Sequence, residues 1–236
     1  MEDCDLSAID WRDLPNARVV ARGCRIAEGH LIDAQLPESE LEQCSFLRCS
    51  FASADLSGAV FRNCTFFDPE SRRGSDFSFA DLGSATFENC NLSTCKFGSA
   101  NLHAVQIRGC KAAGVDFELA SFTRKVGRTG LTAGTLIDSM LDIASFREVV
   151  LNGCDLSRSS LRGTDFAGAA LAEAHFRNCE LSGAVMSAAR LDRADMRGAI
   201  LDDVDLGSAA SYAGIKVSQS QLPALAAKLG IRVFPD

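Results

Sequence analysis

A leucine or phenylalanine stands at every fifth position along most of this chain. Leu41, Phe46, Phe51, Leu56, Phe61 and Phe66 keep the step, as do Phe77, Leu82, Phe87, Leu92, Phe97 and Leu102. A third tract runs from Leu131 through Leu136, Leu141, Phe146 and onward to Leu201 and Leu206. An amphipathic helix buries positions three and four apart, and a half-buried strand buries alternate positions. A period of five satisfies neither, so each pentad must form one side of a coil that closes on itself. Repetition of this kind outranks other sequence signals, and it predicts a solenoid.

Two residues before each large side chain sits a small one: Cys44, Cys49, Ala54, Ala59 and Cys64, then Ala80, Ala85, Cys90 and Cys95. A separation of two places both on one face of an extended segment. The large centre and the small residue therefore point inward, while Asp, Asn, Ser and Gly at the outward positions turn the corners. All ten cysteines, Cys4 to Cys179, fall in the small column. No metal-type Cys-x-x-Cys pair occurs, so they read as buried, inert, free thiols and no metal or cofactor is expected. Free thiols in such number fit a reducing compartment. Cys4, Cys24, Cys44 and Cys64 are 20 apart, which predicts four pentads per coil.

The period breaks twice. Phe66 and Phe77 lie 11 apart, and the polar segment 67–75 between them should project as a loop carrying Asp68, Glu70, Ser71, Arg72 and Arg73. Phe122 and Leu131 lie nine apart, and loop 123–130 carries Arg124, Lys125 and Arg128 with no acid. Loops on a rigid scaffold are where binding tends to reside. Residues 1–25 form an irregular start, with a bulge or loop expected over 14–22 because Asn16 and Ala21 are poor centres. Residues 26–210 form the repeat. In 211–236, a helix is expected over 218–230 with a serine N-cap, Pro223 in its first turn and Gly230 at its end. Its Leu222, Leu225 and Leu229, with Ile231, Val233 and Phe234 beyond, either cover the end of the coil within one chain or pair with a second copy. Burying Phe234 favours a homodimer.

His30, His103 and His175 take outward positions in separate coils, and no nucleophile elbow, P-loop or dinucleotide fingerprint occurs. Enzymatic activity is therefore not expected. Neither a basic apolar leader nor an apolar run of membrane-spanning length is seen, so a cytoplasmic protein without membrane contact is expected.

Alternating Ala-Asp-Leu and Cys-x-Phe pentads resemble the pentapeptide repeat family, which folds as an all-β, right-handed quadrilateral β-helix. Phe61 to Phe77, Ile107 to Phe117, Ala120-Ser121-Phe122 and Lys228-Leu229-Gly230-Ile231 are further similar to the Qnr quinolone-resistance group within it. That resemblance implies a β-helix with two projecting loops and a short C-terminal α-helix, dimerised through its C-terminal end. It also implies binding to DNA gyrase and topoisomerase IV as a partial mimic of duplex DNA, with protection from fluoroquinolones and a role for both loops. A pentapeptide-repeat scaffold or immunity protein with a different partner is the alternative, because one fold hosts many functions.

Formal net charge is −7, which disfavours direct nucleic-acid binding. A rod of ten coils at roughly 4.8 Å each would be about 48 Å long, and duplex DNA of that length carries roughly 28 charges. Uniform imitation of DNA is therefore excluded. A single face could still imitate it. With four pentads per coil, two adjacent sides of the third tract carry Asp142, Glu148, Asp165, Glu180, Asp202, Asp203 and Asp205 against Arg147 and Arg162, seven minus two, or −5. This acidic stripe is either the DNA-like surface or a solvated face that keeps the protein in solution.

Overall fold

The computed structural model describes residues 1–14, 18–29 and 31–228. The chain winds as a four-sided, right-handed parallel β-helix. Face 1 is a six-stranded parallel sheet of Val20–Arg22, Glu40–Glu42, Val60–Arg62, Thr86–Glu88, Val105–Arg108 and Gly134–Ile137. On faces 2, 3 and 4 most contacts between coils are single-residue bridges, such as Asp5↔Arg25, Asp76↔Lys96 and Asp81↔Asn101. Partners 20 apart define the coil. They become 26 apart across the first break (Thr65↔Asn91) and 29 apart across the second (Lys111↔Met140), so the two insertions add six and nine residues.

The pentad is built by local chemistry. Phe51 accepts a hydrogen bond from Ala54 N–H at 3.0 Å, closing a turn whose third residue, Ser53, has φ of 59°. That left-handed position recurs two residues after most centres and is filled by Gly, Asn, Asp, Ser and even larger residues. The Asp or Asn before a centre explains the Ala-Asp-Leu signature. Asp55 Oδ1 accepts the Ser57 amide at 2.9 Å, Asp81 that of Gly83 at 2.9 Å, and Asp155 that of Ser157 at 2.9 Å, satisfying a corner donor that would otherwise have no partner.

Inside, the large column forms stacks. Phe51, Phe77, Phe97, Phe117, Phe146 and Phe166 make an unbroken pile of rings on face 3, with centroids 4.7–5.3 Å apart. Nine of the ten cysteines are buried and none is bridged, and among the described residues no group of side chains could hold a metal ion. Burial pushes the Cys49 thiol up to about 11 and those of Cys154 and Cys179 up to about 12. Cys4, in the first described coil, is exposed.

Several expectations are corrected. Ala21 is not in a bulge: it is buried in the first strand and registers on Leu41. Trp11, 1% exposed on a short 3-10 turn, is buried in the same core. Residues 15–17, including Asn16, and residue 30, including His30, lie outside the described residues. Leu131 is not a centre. It is 52% exposed in a hairpin, and the third tract begins at Leu136. The regular step ends at Leu201, since Leu206–Ser208 is a 3-10 turn that adds one residue to the last coil, yet Arg190↔Ser211 and Asp195↔Lys216 still bridge. His103 does not face outward; it is 8% exposed beneath the second insertion. Leu222–Lys228 is helical after a 3-10 turn at Gln219–Gln221, capped reciprocally by Ser218 and Gln221. No helix among the described residues is long and apolar enough to cross a membrane.

Candidate partner-binding surface

The first insertion is a hairpin, Phe67–Asp68 against Arg73–Gly74, leaving the tube between faces 2 and 3. Asp68, expected at the contact surface, is instead buried and organises the turn. Its carboxylate accepts the Ser71 hydroxyl at 2.7 Å, Arg48 Nη1 at 2.9 Å and the Glu70 amide at 3.1 Å. The Ser71 hydroxyl, with Arg48 and the two amides in support, holds its pKa down at about 2. Gly74 is obligatory, because a Cβ there would sit 2.4 Å from Cys95 N and 2.5 Å from Ser93 O. Its amide donates to Thr94 Oγ1 at 2.8 Å, which lays the hairpin on the next coil. Glu70, Arg72 and Arg73 are left exposed at the tip.

The second insertion is a longer hairpin, Thr123–Val126 against Thr129–Thr132, leaving between faces 4 and 1. It turns on Gly127, whose φ of 61° suits the first central position of a two-residue turn. Arg124, Lys125 and Arg128 are exposed. The base is tied by Ala133 N–H to Phe122 O at 3.1 Å and by His103 Nδ1 to the same carbonyl at 3.3 Å. The two hairpins thus rise from diagonally opposite edges of the tube.

The acidic positions fall on faces 2 and 3 but are not equivalent. Asp142 pairs with Arg162 at 3.3 Å and Asp165 with Arg147 at 2.8 Å. Glu180 accepts the Ser182 amide at 3.0 Å, and Asp205 caps the 3-10 turn through the Gly207 amide at 3.0 Å. Glu148, Asp202 and Asp203 are exposed, and among the described residues no ion pair is seen for them. The coil length itself produces much of this pairing, since residues 20 apart are neighbours. Arg158 meets Asp138 and Arg193 meets Glu173 in the same way.

At the C-terminal end, Val204, Leu206, Tyr212, Ile215 and Leu225 line an apolar cleft of about 550 Å³. Leu225 packs on the core, whereas Leu222 is 49% exposed. Leu229, Ile231, Val233 and Phe234 lie outside the described residues. Sequence reasoning missed Tyr212 and Ile215. Their signal was the small-polar-large pattern Ala210-Ser211-Tyr212, displaced by the one added residue.

Residues 30–66, 75–111, 144–178 and 169–207 match the model of pentapeptide repeats, and the chain belongs to that family. Among solved structures it is similar to full-length QnrB1, described as a plasmid-mediated fluoroquinolone resistance protein. The identity is 31% and the TM-score 0.79, covering 90% of this chain and 98% of QnrB1. Two relatives match over 126 residues: the quinolone resistance pentapeptide repeat protein QnrB96 of Scandinavium goeteborgense at 33% identity, and QnrB4 of Escherichia coli at 34%. These alignments take in 53% of this chain and 59% of each relative's length.

Proposed function

We propose that the protein confers quinolone resistance by binding a bacterial type II topoisomerase, DNA gyrase and also topoisomerase IV, and shielding it from fluoroquinolones. The observation that carries this reading is the likeness to QnrB1 along nearly that protein's whole length, on a tube bearing two polar hairpins. Arg72, Arg73, Glu70 and Ser71 on one hairpin and Arg124, Lys125 and Arg128 on the other are the exposed side chains offered to the enzyme. Asp68 acts by holding the first hairpin in shape. The DNA-like part of the surface is limited to the C-terminal portion of faces 2 and 3, where Asp202, Asp203 and Asp205 have no arginine partner among the described residues and Asp142 and Asp165 are neutralised. A second copy docks on the apolar end around Leu206, Tyr212 and Leu225, so that two tubes join end to end; the bare apolar edge of a last coil favours such cover.

Supercoiling by purified gyrase, with and without ciprofloxacin, tests the proposal. Rescue of supercoiling is expected. No effect at any ratio of protein to enzyme would refute it and leave a scaffold or immunity role with another partner. Gel filtration should give twice the monomer mass, and a chain lacking residues 218–236 should lose that mass.

A further inference from the structure

On face 4, from the coil of Gln35 to that of Ser211, each coil is bonded to the next by the same main-chain pair, with one exception among the described residues. Leu102 N–H donates to Ser121 O at 2.7 Å and Ser121 N–H to Ala100 O at 2.9 Å; beyond the second hairpin, Leu151 N–H donates to Ala170 O at 2.7 Å and Ala170 N–H to Val149 O at 3.0 Å. Between the coil of Phe122 and that of Val150, the equivalent bonds are missing. Among the described residues, the N–H groups of Phe122 and Val150 and the carbonyls of Ala120 and Val150 have no protein partner. A cleft of about 540 Å³ opens there, walled on one side by Gly130 and Thr132 of the hairpin. Two exposed apolar side chains stand in its lining, Leu119 at 70% and Val150 at 41% exposure, among polar ones such as Ser121 and Asn152.

The opening is local. The same two coils stay closed on face 3, where Phe117 N–H reaches Ser145 O at 2.9 Å and the rings of Phe117 and Phe146 stack at 4.7 Å. Nor does a hairpin alone cause it, because at the first hairpin the ladder is whole, with Phe66 N–H to Asn91 O at 2.8 Å and Phe51 N–H to Asp76 O at 2.7 Å. Main-chain donors and acceptors flanked by apolar side chains are the groups that an added strand satisfies. Charge narrows the occupant. Arg124, Lys125 and Arg128 stand on the hairpin beside the cleft with no ion pair among the described residues, and Glu148 is the one acid in its lining.

We infer that this cleft receives an extended, acidic segment of a partner protein, which adds as a strand to the open lips and sets its carboxylates against the hairpin cations. The inference goes beyond the topoisomerase reading and stands or falls without it.

The test is an amide NMR titration of the full chain with the peptide acetyl-Glu-Val-Glu-Val-Glu-amide. Saturable shifts of the Leu119, Phe122 and Val150 amides are expected, with none from the same peptide carrying Lys for Glu. Reversing the cations (Arg124→Glu, Lys125→Glu, Arg128→Glu) should weaken binding about tenfold or more. Val150→Pro, which removes a donor that bonds nothing in the fold, should abolish the shifts. If that variant does not fold, the charge-reversed chain still decides. Shifts confined to the hairpin would reduce the contact to charge alone and overturn strand addition. Shifts of these amides on raising protein concentration without peptide would mean that a second copy fills the cleft, which also overturns it.

Discussion

Replacing Phe66 by leucine should destabilise the tube more than the same change at Phe176. Both rings are 0% exposed, so the transfer of apolar surface from water is alike at the two sites. They differ in aromatic neighbours. Phe66 stacks on Phe46 at 4.8 Å and meets Phe51, Phe61, Phe77 and Phe87 edge-on at 5.3–5.9 Å. Phe176 meets Phe166 at 5.6 Å. Leucine for phenylalanine in a tight core costs about 1–1.5 kcal/mol through imperfect fit, and ring pairs add about 0.5–1.5 kcal/mol each beyond their area. Neighbours share that gain, so four extra pairs should separate the two variants by about 2 kcal/mol rather than by their sum. Urea unfolding would measure it, read both by far-UV circular dichroism and by fluorescence of Trp11, the single tryptophan, which sits at the same end of the tube. A solenoid is stabilised coil by coil, so the Trp11 signal should move further than the dichroism for Phe66→Leu. Equal midpoints for the two variants would refute the claim that the ring cluster, and not burial alone, strengthens this region.

Other consequences are equally open to measurement. Asp68→Asn should loosen the first hairpin, seen as faster trypsin cleavage after Arg72 and Arg73. Because the folded carboxyl titrates near 2 rather than 3.8, its contribution is complete above pH 3.8 and fades as pH falls toward 2, a dependence the variant should lack. Ile143 is a β-branched residue at φ 54° and 69% exposed, so Ile143→Asn should raise stability by about 0.5–1 kcal/mol; an unchanged or lower urea midpoint would contradict the strain. In the folded protein a thiol reagent should titrate one cysteine of ten quickly, Cys4, and all ten in denaturant. Reversing Asp202, Asp203 and Asp205 to lysine should weaken gyrase binding more than reversing the arginine-paired Asp142 and Asp165; equal losses would discard the acidic stripe.

The tube was legible because burial with a fixed period leaves few geometries, and Phe46 to Phe66 fall where the period puts them. Leu131 shows the limit of that logic. A leucine in step with the repeat can still sit in a hairpin, and the better clue was the glycine pair Gly127 and Gly130 beside it, which marks a turn and not a coil side. Ala21 fails in the other direction, since a small residue at a poor-looking centre still takes its strand position in register with Leu41. Asp68 looked like a contact residue because polar loop residues usually face water; only the convergence of Arg48, Ser71 and two amides turns it inward. The break in the face 4 ladder has no sequence signature, because main-chain pairing between coils is set by how a hairpin leaves, not by which residues it contains.

Hairpins raised on opposite edges of a square tube cannot both rest on one flat surface. They are offset by about two and a half coils, roughly 12 Å along the axis. A partner that grips both must therefore straddle the tube, as two jaws of a cleft would, while a smooth-sided partner can touch only one. Which hairpin a given target feels is thus fixed by the target's concavity.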